Sequence, residues 1–505
     1  MIRGLNTEYR ERRRIVMKEV AKLGFEGNVE DLNERLEMLP YQLINEDTIP
    51  FRHEVSRSRS IVRERIRLAL GLPLRPNDRP VPLTSGINPE NLYENVYEAP
   101  LVQVIPSACN ACPPSGYVVT DMCQGCNAHP CMEVCPRGAI EIKTYKSEID
   151  SDKCVKCGKC HDVCPYKAIV KRERPCANAC GLGAITTDKH GRAMIDQKKC
   201  VSCGQCIVNC PFGAVSDKSQ VFQLAGTLAS GAEVIAEVAP AYIGQFGQNI
   251  GPRNLKAALK QLGFADVVEV ALGADIGAVT EAHHYVEKVT TGELPFLLTS
   301  CCPSWAMLAR RYFPNEKMDQ VSTALTPMVA TARTIKKKRP DAKIVFIGPC
   351  ASKKNEMVLT TVRSDVDFVI TFEELQGMFD AKDIQLELFE AESSMHDATG
   401  AGRGYAVAGG VSKAIGKCLT EYYPDVDYKI EHTEGLANCK RMLMMAKAGK
   451  LDGYLIEGMA CPGGCIAGAG TNIPLNLAQK QLDQFVKNSS KQLPPKELAE
   501  IDLGE

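Results

Sequence analysis

The sequence predicts an α/β domain in its second half, preceded by small cysteine-rich units and, at the start, by a helical region. Of the 23 cysteines, 16 lie between Cys109 and Cys210, and the other seven lie from Cys301 onward. From Ser219 onward, short apolar runs alternate with amphipathic stretches, which is the pattern of an α/β fold. A chain of 505 residues is long enough for about three domains.

These changes in composition predict four regions. They are a helical and extended N-terminal region at 1–105, the cysteine-rich domain or domains at 106–218, an α/β domain at 219–480 and a polar C-terminal tail at 481–505. In the first region, apolar residues at helical spacing predict a helix ending at Gly24, a second from Asp31 as N-cap to Pro40, and a third over about 61–70. We expect this region to pack against, or dock to, the cysteine-rich part.

The overall composition is that of an ordinary globular protein, with 45% hydrophobic and 24% charged residues and a formal net charge of −1. This balance gives no reason to expect a nucleic-acid partner or an acidic membrane surface. We find no apolar run of the roughly 18 residues that a membrane span needs. The start of the chain is charged and amphipathic, unlike the apolar core of an export signal, so we expect a cytoplasmic protein.

The cysteine-rich stretch is an internal repeat. Two runs, Cys154–Pro165 and Cys200–Pro211, have the C-x-x-C-x-x-C-x-x-x-C-P spacing of bacterial ferredoxins, and Cys123–Pro136 has it with two residues added. A degenerate fourth copy holds Cys176 and Cys180, and the pair Cys109 and Cys112 upstream could complete it. The repeat predicts ferredoxin-like iron–sulfur domains.

In this spacing, three close cysteines bind one cubane and the fourth binds the other cluster. The rule distributes the sixteen thiols over four clusters: Cys123, Cys126, Cys131 and Cys164; Cys154, Cys157, Cys160 and Cys135; Cys200, Cys203, Cys206 and Cys180; and Cys109, Cys112, Cys176 and Cys210. The last group is inferred by elimination, so we expect three to four 4Fe–4S clusters. Zinc is the alternative for paired cysteines, above all for Cys109 and Cys112.

Three motifs in the α/β domain each follow an apolar run that reads as a buried strand. They are Thr299–Trp305 (T-S-C-C-P-S-W), Gly348–Glu356 (G-P-C-A-S-K-K-N-E) and Glu457–Cys465 (E-G-M-A-C-P-G-G-C). Loops that follow parallel strands can meet in one crevice. Four of their thiolates would suffice for one iron–sulfur cluster, which leaves one thiol without a metal.

The three motifs together resemble the signature of the iron-only ([FeFe]) hydrogenases, in the right order and with the right internal spacings, over roughly residues 230–475. The resemblance implies a two-lobed catalytic domain. It also implies an H-cluster, in which a 4Fe–4S cluster is joined to a di-iron unit that carries carbon monoxide, cyanide and a bridging azadithiolate.

The resemblance also implies roles for individual residues. The ligands of the four-iron cluster are Cys302, Cys350, Cys461 and Cys465, with Cys465 bridging to the di-iron unit. Cys301 is then the proton donor and acceptor, Lys353 binds a cyanide, and Ala239, Pro240 and Met459 line the di-iron pocket. Glu281, Ser322 and Glu356 correspond to proton-relay positions, Ser322 only if one residue is inserted between it and Cys301.

Two positions depart from the best-known branch of the family. Gly348 replaces a methionine, and His284 stands where a second relay glutamate is expected. A histidine can pass protons near neutral pH, but it can equally be a satisfied core or surface residue.

The resemblance predicts the reversible interconversion of dihydrogen with protons and electrons, coupled to ferredoxin or a similar electron carrier, with proteins of di-iron maturation as further partners. Two alternatives stay open: a low-activity hydrogen sensor, and a non-catalytic iron–sulfur protein of electron transfer or cluster assembly. A scaffold needs only cluster ligands, so Cys301, Lys353 and Glu356 favour the enzyme.

Overall fold

The computed structural model describes residues 7–27, 30–45, 54–76, 79–88, 92–93, 97–314, 320–390, 393–395 and 398–504. Along the chain these form N-terminal helices, two small cysteine-rich units and a domain with two parallel sheets. None of the helices within these ranges combines the length and the apolar character needed to cross a membrane.

The chain opens with three helices, α1 (Glu8–Glu26), α2 (Leu32–Leu43) and α3 (Val55–Ala69). The prediction that the first helix ends at Gly24 is wrong, because α1 continues to Glu26 and is capped by Gly27, whose φ of 66° suits glycine. Gly24 serves close packing instead, since a Cβ there would lie 2.5 Å from the carbonyl oxygen of Phe222. α2 begins after Asp31 as predicted but continues past Pro40, and α3 begins six residues earlier than predicted.

The cysteine-rich part folds into two units of the same topology. Its elements are β1 (Val102–Val104), β2 (Gly116–Val119), α4 (Pro130–Glu133), β3 (Ile140–Lys143), β4 (Lys146–Ile149), α5 (Lys159–Val163), β5 (Ile169–Arg172), α6 (Pro175–Asn178), β6 (Ile185–Thr187), β7 (Ala193–Ile195), α7 (Gln205–Asn209) and β8 (Val215–Asp217). In the first unit β2 pairs with β5 and β3 with β4, and in the second β1 pairs with β8 and β6 with β7, all antiparallel.

The first unit is therefore inserted into the second, between β1 and α6. This arrangement explains why the fourth cysteine run is degenerate: its first two cysteines lie before the insertion and its other two lie after it. It also places β1, which starts at Val102, with the iron–sulfur part rather than with the region predicted to end at 105.

The α/β domain follows, with the elements α8 (Val221–Ala229), β9 (Val234–Val238), α9 (Pro252–Leu262), β10 (Asp266–Glu269), α10 (Ala271–His284), β11 (Leu297–Leu298), α11 (Pro303–Tyr312), α12 (Pro327–Lys338), β12 (Lys343–Gly348), α13 (Ala351–Glu356), β13 (Phe368–Thr371), α14 (Phe372–Ala381), α15 (Gly400–Arg403), α16 (Gly410–Tyr422), β14 (Lys429–Glu434), α17 (Leu436–Lys447), β15 (Tyr454–Met459) and α18 (Leu475–Lys487). One parallel sheet has the order β10-β9-β12-β13 and the other β11-β15-β14. These sheets form the two lobes, and the predicted fold class is confirmed.

Two features join the terminal regions to this domain. α1 packs mainly against α8 and α14, so the N-terminal region contacts the α/β domain more than the iron–sulfur units. α18 crosses the predicted boundary at 480, because its apolar residues Ala478 and Leu482 are buried in the main core. The end of the chain is thus partly integrated into the domain rather than a separate tail.

Candidate active site

The three cysteine motifs meet between the two sheets. Cys302 and Cys350 are the N-caps of α11 and α13, in the loops that follow β11 and β12, and Cys465 begins a short 3₁₀ turn after β15. The carboxyl ends of strands from both lobes therefore converge on one crevice, as the sequence predicted.

The four thiols predicted to bind the central cluster lie close together. Burial raises the pKa of Cys350 to about 12, and the neighbouring thiols of Cys461 and Cys302 contribute to this rise. Burial also raises the pKa of Cys465 well above its ordinary value, with Cys350, Cys302 and Cys461 adding to the effect. Buried thiolates that repel one another need a compensating cation, so this set fits an iron–sulfur cluster.

Glycines in the third motif allow the chain to approach closely at this point. A Cβ on Gly458 would lie 2.1 Å from the indole of Trp305, the tryptophan of the first motif. Gly464 has a φ of 83°, and a Cβ there would lie 2.5 Å from the backbone nitrogen of Ala408. The spacing of the cysteines thus depends on glycines that no larger residue can replace without moving the neighbours.

A largely apolar cavity of about 80 Å³ adjoins the cysteines. The sequence-predicted pocket residues Ala239, Pro240 and Met459 all line it, as do Cys301 and Lys353. The site thus offers a thiol and one cation beside a cluster site, which fits a group with anionic ligands.

Lys353 and Glu356 form a buried ion pair in which Nζ lies 2.6 Å from Oε2. Thr326 joins them, since its hydroxyl accepts a hydrogen bond from Lys353 at 3.0 Å and donates one to Glu356 at 2.6 Å. Thr326 was missed by sequence reasoning because it lies outside the three motifs.

Glu281 lies beside the first motif, fully buried. Its Oε1 accepts hydrogen bonds from the backbone N–H of Ser300 at 2.9 Å and from the Ser300 hydroxyl at 3.3 Å. Burial raises the pKa of Glu281 to about 7, although hydrogen bonds from Ser300 and Ser322 oppose the shift. The Ser322 hydroxyl lies 3.4 Å from Nδ1 of the half-buried His284, so a line of polar groups runs outward from Cys301.

The predicted relay positions thus fall into two groups. Glu281 and Ser322 lie on the same line, which is extended by His284. Glu356 instead contacts Lys353 and Thr326 on the side of the second motif.

The presence of glycine rather than methionine at position 348 has a steric explanation. A Cβ on Gly348 would lie 2.5 Å from the ring of Phe346, which itself lines the cavity.

The electrostatic effects of the accessory cysteines on one another indicate which of them lie close together. Burial raises the pKa of Cys176 to about 11, with contributions from Cys210, Cys109 and Cys112. Burial raises the pKa of Cys206, with contributions from Cys203, Cys200, Cys180 and also Cys176. In the first unit, Cys154 and Cys157 likewise contribute to the raised pKa of Cys160, whose main cause is burial.

The last cysteine of each of the four runs has the same local geometry. Each sulfur accepts a hydrogen bond of 3.2–3.4 Å from the backbone N–H four residues later, and this holds for Cys135, Cys164, Cys180 and Cys210. The equivalent positions in the two units therefore match, and the upstream pair Cys109 and Cys112 is the counterpart of Cys123 and Cys126.

The second iron–sulfur unit contacts the central site directly. Gln205 Nε2 donates to the sulfur of Cys461 at 3.2 Å, and the Ser304 hydroxyl donates to the carbonyl oxygen of Val201 at 2.9 Å. Burial raises the pKa of Cys203 to about 12, and the thiol of Cys302 adds to this. The cysteines of this unit are thus the neighbours of the central set.

Comparison with known proteins agrees with this arrangement. Residues 232–469 match the family described as "Iron only hydrogenase large subunit, C-terminal domain", and residues 147–170 and 193–216 match the 4Fe–4S binding domain. The chain is 32% identical over 379 residues to the periplasmic [Fe] hydrogenase large subunit of Nitratidesulfovibrio vulgaris, covering 65% of this chain and 86% of that protein.

Other relatives are more distant or less fully covered. Iron hydrogenase 1 of Clostridium pasteurianum is 30% identical over 394 residues, which is 66% of each protein. A probable cytosolic Fe–S cluster assembly factor of Drosophila mojavensis is 25% identical over 304 residues, 50% of this chain and 63% of that one. Among solved structures, a variant of apo [FeFe]-hydrogenase HydA1 of Chlamydomonas reinhardtii is similar with a TM-score of 0.45 and 22% identity, covering 54% of this chain and 89% of that one.

The family match over the α/β domain, the two 4Fe–4S matches and the identity to the hydrogenase large subunit support the same assignment as the three motifs. The chain belongs to the iron-only hydrogenase family.

Proposed function

We propose that this chain is an active hydrogenase that interconverts dihydrogen with two protons and two electrons, and that it exchanges those electrons with a small ferredoxin-like carrier. Cys302, Cys350, Cys461 and Cys465 hold the four-iron part of the H-cluster, and the cavity beside them takes the di-iron unit. When bound, that unit supplies the metal and the amine at which dihydrogen is split or formed.

The observation that carries this proposal is the line of Cys301, Glu281, Ser322 and His284. A thiol at the cavity can take up or release a proton, and Glu281, with a pKa raised to about 7, can hold it at neutral pH. Ser322 and His284 continue the line toward the surface. A protein that only carried or assembled clusters would have no use for such a relay.

The accessory clusters form the path for electrons. We infer four of them, with the cysteine sets deduced from the repeat and its two-unit topology. The unit that holds Cys203 and Cys206 adjoins the central site, so electrons pass through it last on their way in. In the first unit, Cys157 is the one exposed cysteine of all 23, so a carrier meets the chain there.

The decisive experiment is anaerobic expression with the di-iron maturation proteins, followed by infrared spectroscopy and a hydrogen assay. We expect bands of metal-bound carbon monoxide and cyanide together with hydrogen production and uptake. Fully iron-loaded protein that has been exposed to the maturation proteins and shows neither would contradict the proposal.

A second candidate is a non-catalytic iron–sulfur protein, because relatives named as cytosolic Fe–S cluster assembly factors match about half of the chain. It predicts iron incorporation without carbon monoxide or cyanide bands. A hydrogen sensor predicts the bands with slow turnover. We also propose a cytoplasmic location, which fractionation of the producing cell would test.

A further inference from the structure

Tyr405 lines the same cavity as Cys301 and Lys353, although no motif contains it. It lies in a 3₁₀ turn, Gly404–Ala406, between α15 and α16, and only 6% of its surface is exposed. Its ring packs in the small core around α10, α16 and β15, against which Cys301 and Cys302 also pack. Its position is therefore fixed by the fold.

The hydroxyl of Tyr405 is buried and has no hydrogen-bond partner within the described part of the chain. A Cβ added to Gly277 would lie 3.9 Å from this oxygen. Gly277 is one turn before Glu281 on α10, so the hydroxyl lies near that face of the helix. A buried hydroxyl without a partner is unfavourable, and such groups in native proteins usually bind something.

The phenol can act only as a neutral group. Burial raises its pKa well above the ordinary value, and the neighbouring acidic groups of Glu281, Cys301, Cys418 and Asp275 raise it further. It therefore keeps its proton at any working pH and can donate a hydrogen bond.

The other walls of the cavity leave few candidates for the acceptor. The lining is mostly apolar, and the ammonium of Lys353 is already engaged with Glu356 and Thr326. The oxygens of Thr326 and Glu356 that face Lys353 lie on that side of the site. The remaining candidate acceptor for the Tyr405 hydroxyl is a group bound in the cavity itself.

We propose that the Tyr405 hydroxyl donates a hydrogen bond to an anionic ligand of the di-iron group bound in the cavity, as a second donor beside Lys353. This inference rests on the proposed function, because it needs that group to be present. Tyr405 then anchors the group from the wall where it packs with residues of α10 and α16. The hydrogen bond draws electron density away from the iron.

The test is infrared spectroscopy of matured Tyr405→Phe, which removes the donor and keeps the ring. Because electron density returns to the iron, we expect the carbon monoxide bands to move to lower wavenumber and the midpoint potential to fall. Tyr242→Phe is the matched control: its hydroxyl is also buried without a partner in the described chain, but Tyr242 does not line the cavity.

The outcomes are distinct. Bands of Tyr405→Phe that coincide with those of the unchanged protein would overturn the inference, as would an equal shift in Tyr242→Phe. Loss of the bands in Tyr405→Phe alone, with the iron of the other clusters retained, would support it, because the donor would then be needed to hold the group. Absence of the bands from the unchanged protein would instead refute the proposed function.

A second measurement does not use turnover or spectra. In protein produced without the maturation proteins the hydroxyl has no partner, so Tyr405→Phe should leave the thermal midpoint unchanged or raise it. In matured protein the same substitution should lower the midpoint. Equal effects in both forms would overturn the inference.

Discussion

The backbone N–H of Ser300 donates a hydrogen bond of 2.9 Å to Oε1 of Glu281. Burial raises the pKa of the Cys301 thiol, and this bond holds the buried carboxyl close enough to raise it further. The bond spans α10 and the first cysteine motif, so the acid and the thiol are placed by the fold rather than by adjacency in the sequence. Because burial raises the pKa of Glu281 to about 7, this carboxyl changes its protonation state at the pH where a proton relay must work.

Glu281→Gln should lower turnover by about 100-fold or more, since general acid–base steps contribute about 10²–10⁴-fold. The amide keeps the shape and can still accept the bond from Ser300, so iron content and infrared bands should stay normal. Hydrogen production and uptake measure the effect. The control is Glu287→Gln, which changes an exposed glutamate of the following turn and should leave turnover unchanged.

The same carboxyl makes stability depend on pH. Its pKa is about 4.5 in the unfolded chain and about 7 when folded, so the folded state binds the extra proton between these values. Stability should therefore fall as the pH rises through this window, by up to about 3 kcal/mol. Thermal midpoints from pH 5 to pH 8 test this. The fall should be smaller in Glu281→Gln, and an identical pH profile in that variant would contradict the assignment.

Cys301→Ala should abolish turnover and leave the iron content close to normal, because this thiol is predicted to carry protons and not to bind a cluster. Iron analysis and a hydrogen assay on the same preparation separate the two roles. Cys418→Ala is the control, because Cys418 is a buried lone cysteine and should tolerate the change with its turnover retained. Iron loss in Cys301→Ala would assign the thiol to a cluster instead.

His284→Ala should slow turnover by interrupting the line beyond Ser322. His283 offers a matched control on the same turn, because it contacts Tyr423 and Glu287 rather than Ser322. His284→Glu should recover part of the rate, with a pH profile shifted toward acid because a carboxyl titrates lower than an imidazole. Equal rates for His283→Ala and His284→Ala would remove His284 from the relay.

The sequence indicated which three motifs meet at the central crevice, because the signals for this are local. Each cysteine motif follows a short apolar run, and parallel strands deliver the loops that follow them to one crevice. The glycine spacing of Glu457–Cys465 reflects the contact of Gly458 with Trp305 and the left-handed backbone of Gly464. Short-range patterns of this kind can be read without knowing the fold.

Features that depend on distant contacts were not predictable in this way. The predicted end of α1 was misplaced because Gly24 packs against Phe222, which is far away in the sequence. Glycine is needed there for close packing and not to end the helix. Only the tertiary fold brings Tyr405 to the cavity and Thr326 to the Lys353–Glu356 pair. The insertion between β1 and α6 is visible only in the strand pairing.

Lys156 and Lys159 flank the exposed Cys157, and neither forms an ion pair within the described chain. An acidic carrier should bind there, so Lys156→Glu combined with Lys159→Glu should raise its KM by about 10-fold or more and weaken the dependence of the rate on salt. Activity with a small dye such as methyl viologen should not change. The control is Lys337→Glu with Lys338→Glu, which makes the same charge change on the remote end of α12.

Lys354, adjacent to the cavity lysine, joins three parts of the chain. Its fully buried ammonium lies 2.8 Å from Asp217 at the end of the iron–sulfur units and 2.6 Å from Glu374 on α14. Arg13 of α1 contacts the same Asp217 at 2.7 Å. The N-terminal helix, the cluster units and the second motif are therefore tied through one set of buried charges.

Lys354→Met should destabilise the protein by about 3–5 kcal/mol, because it leaves Asp217 and Glu374 buried without their shared cation. The loss should appear as a lower thermal midpoint, whereas the exposed Lys382→Met should change little. Adding Glu374→Gln to Lys354→Met should recover part of the loss, since one buried carboxylate that has lost its cation is then removed. If the single and double variants unfold at the same temperature, the cost arises from lost packing of the lysine stem rather than from unpaired charge.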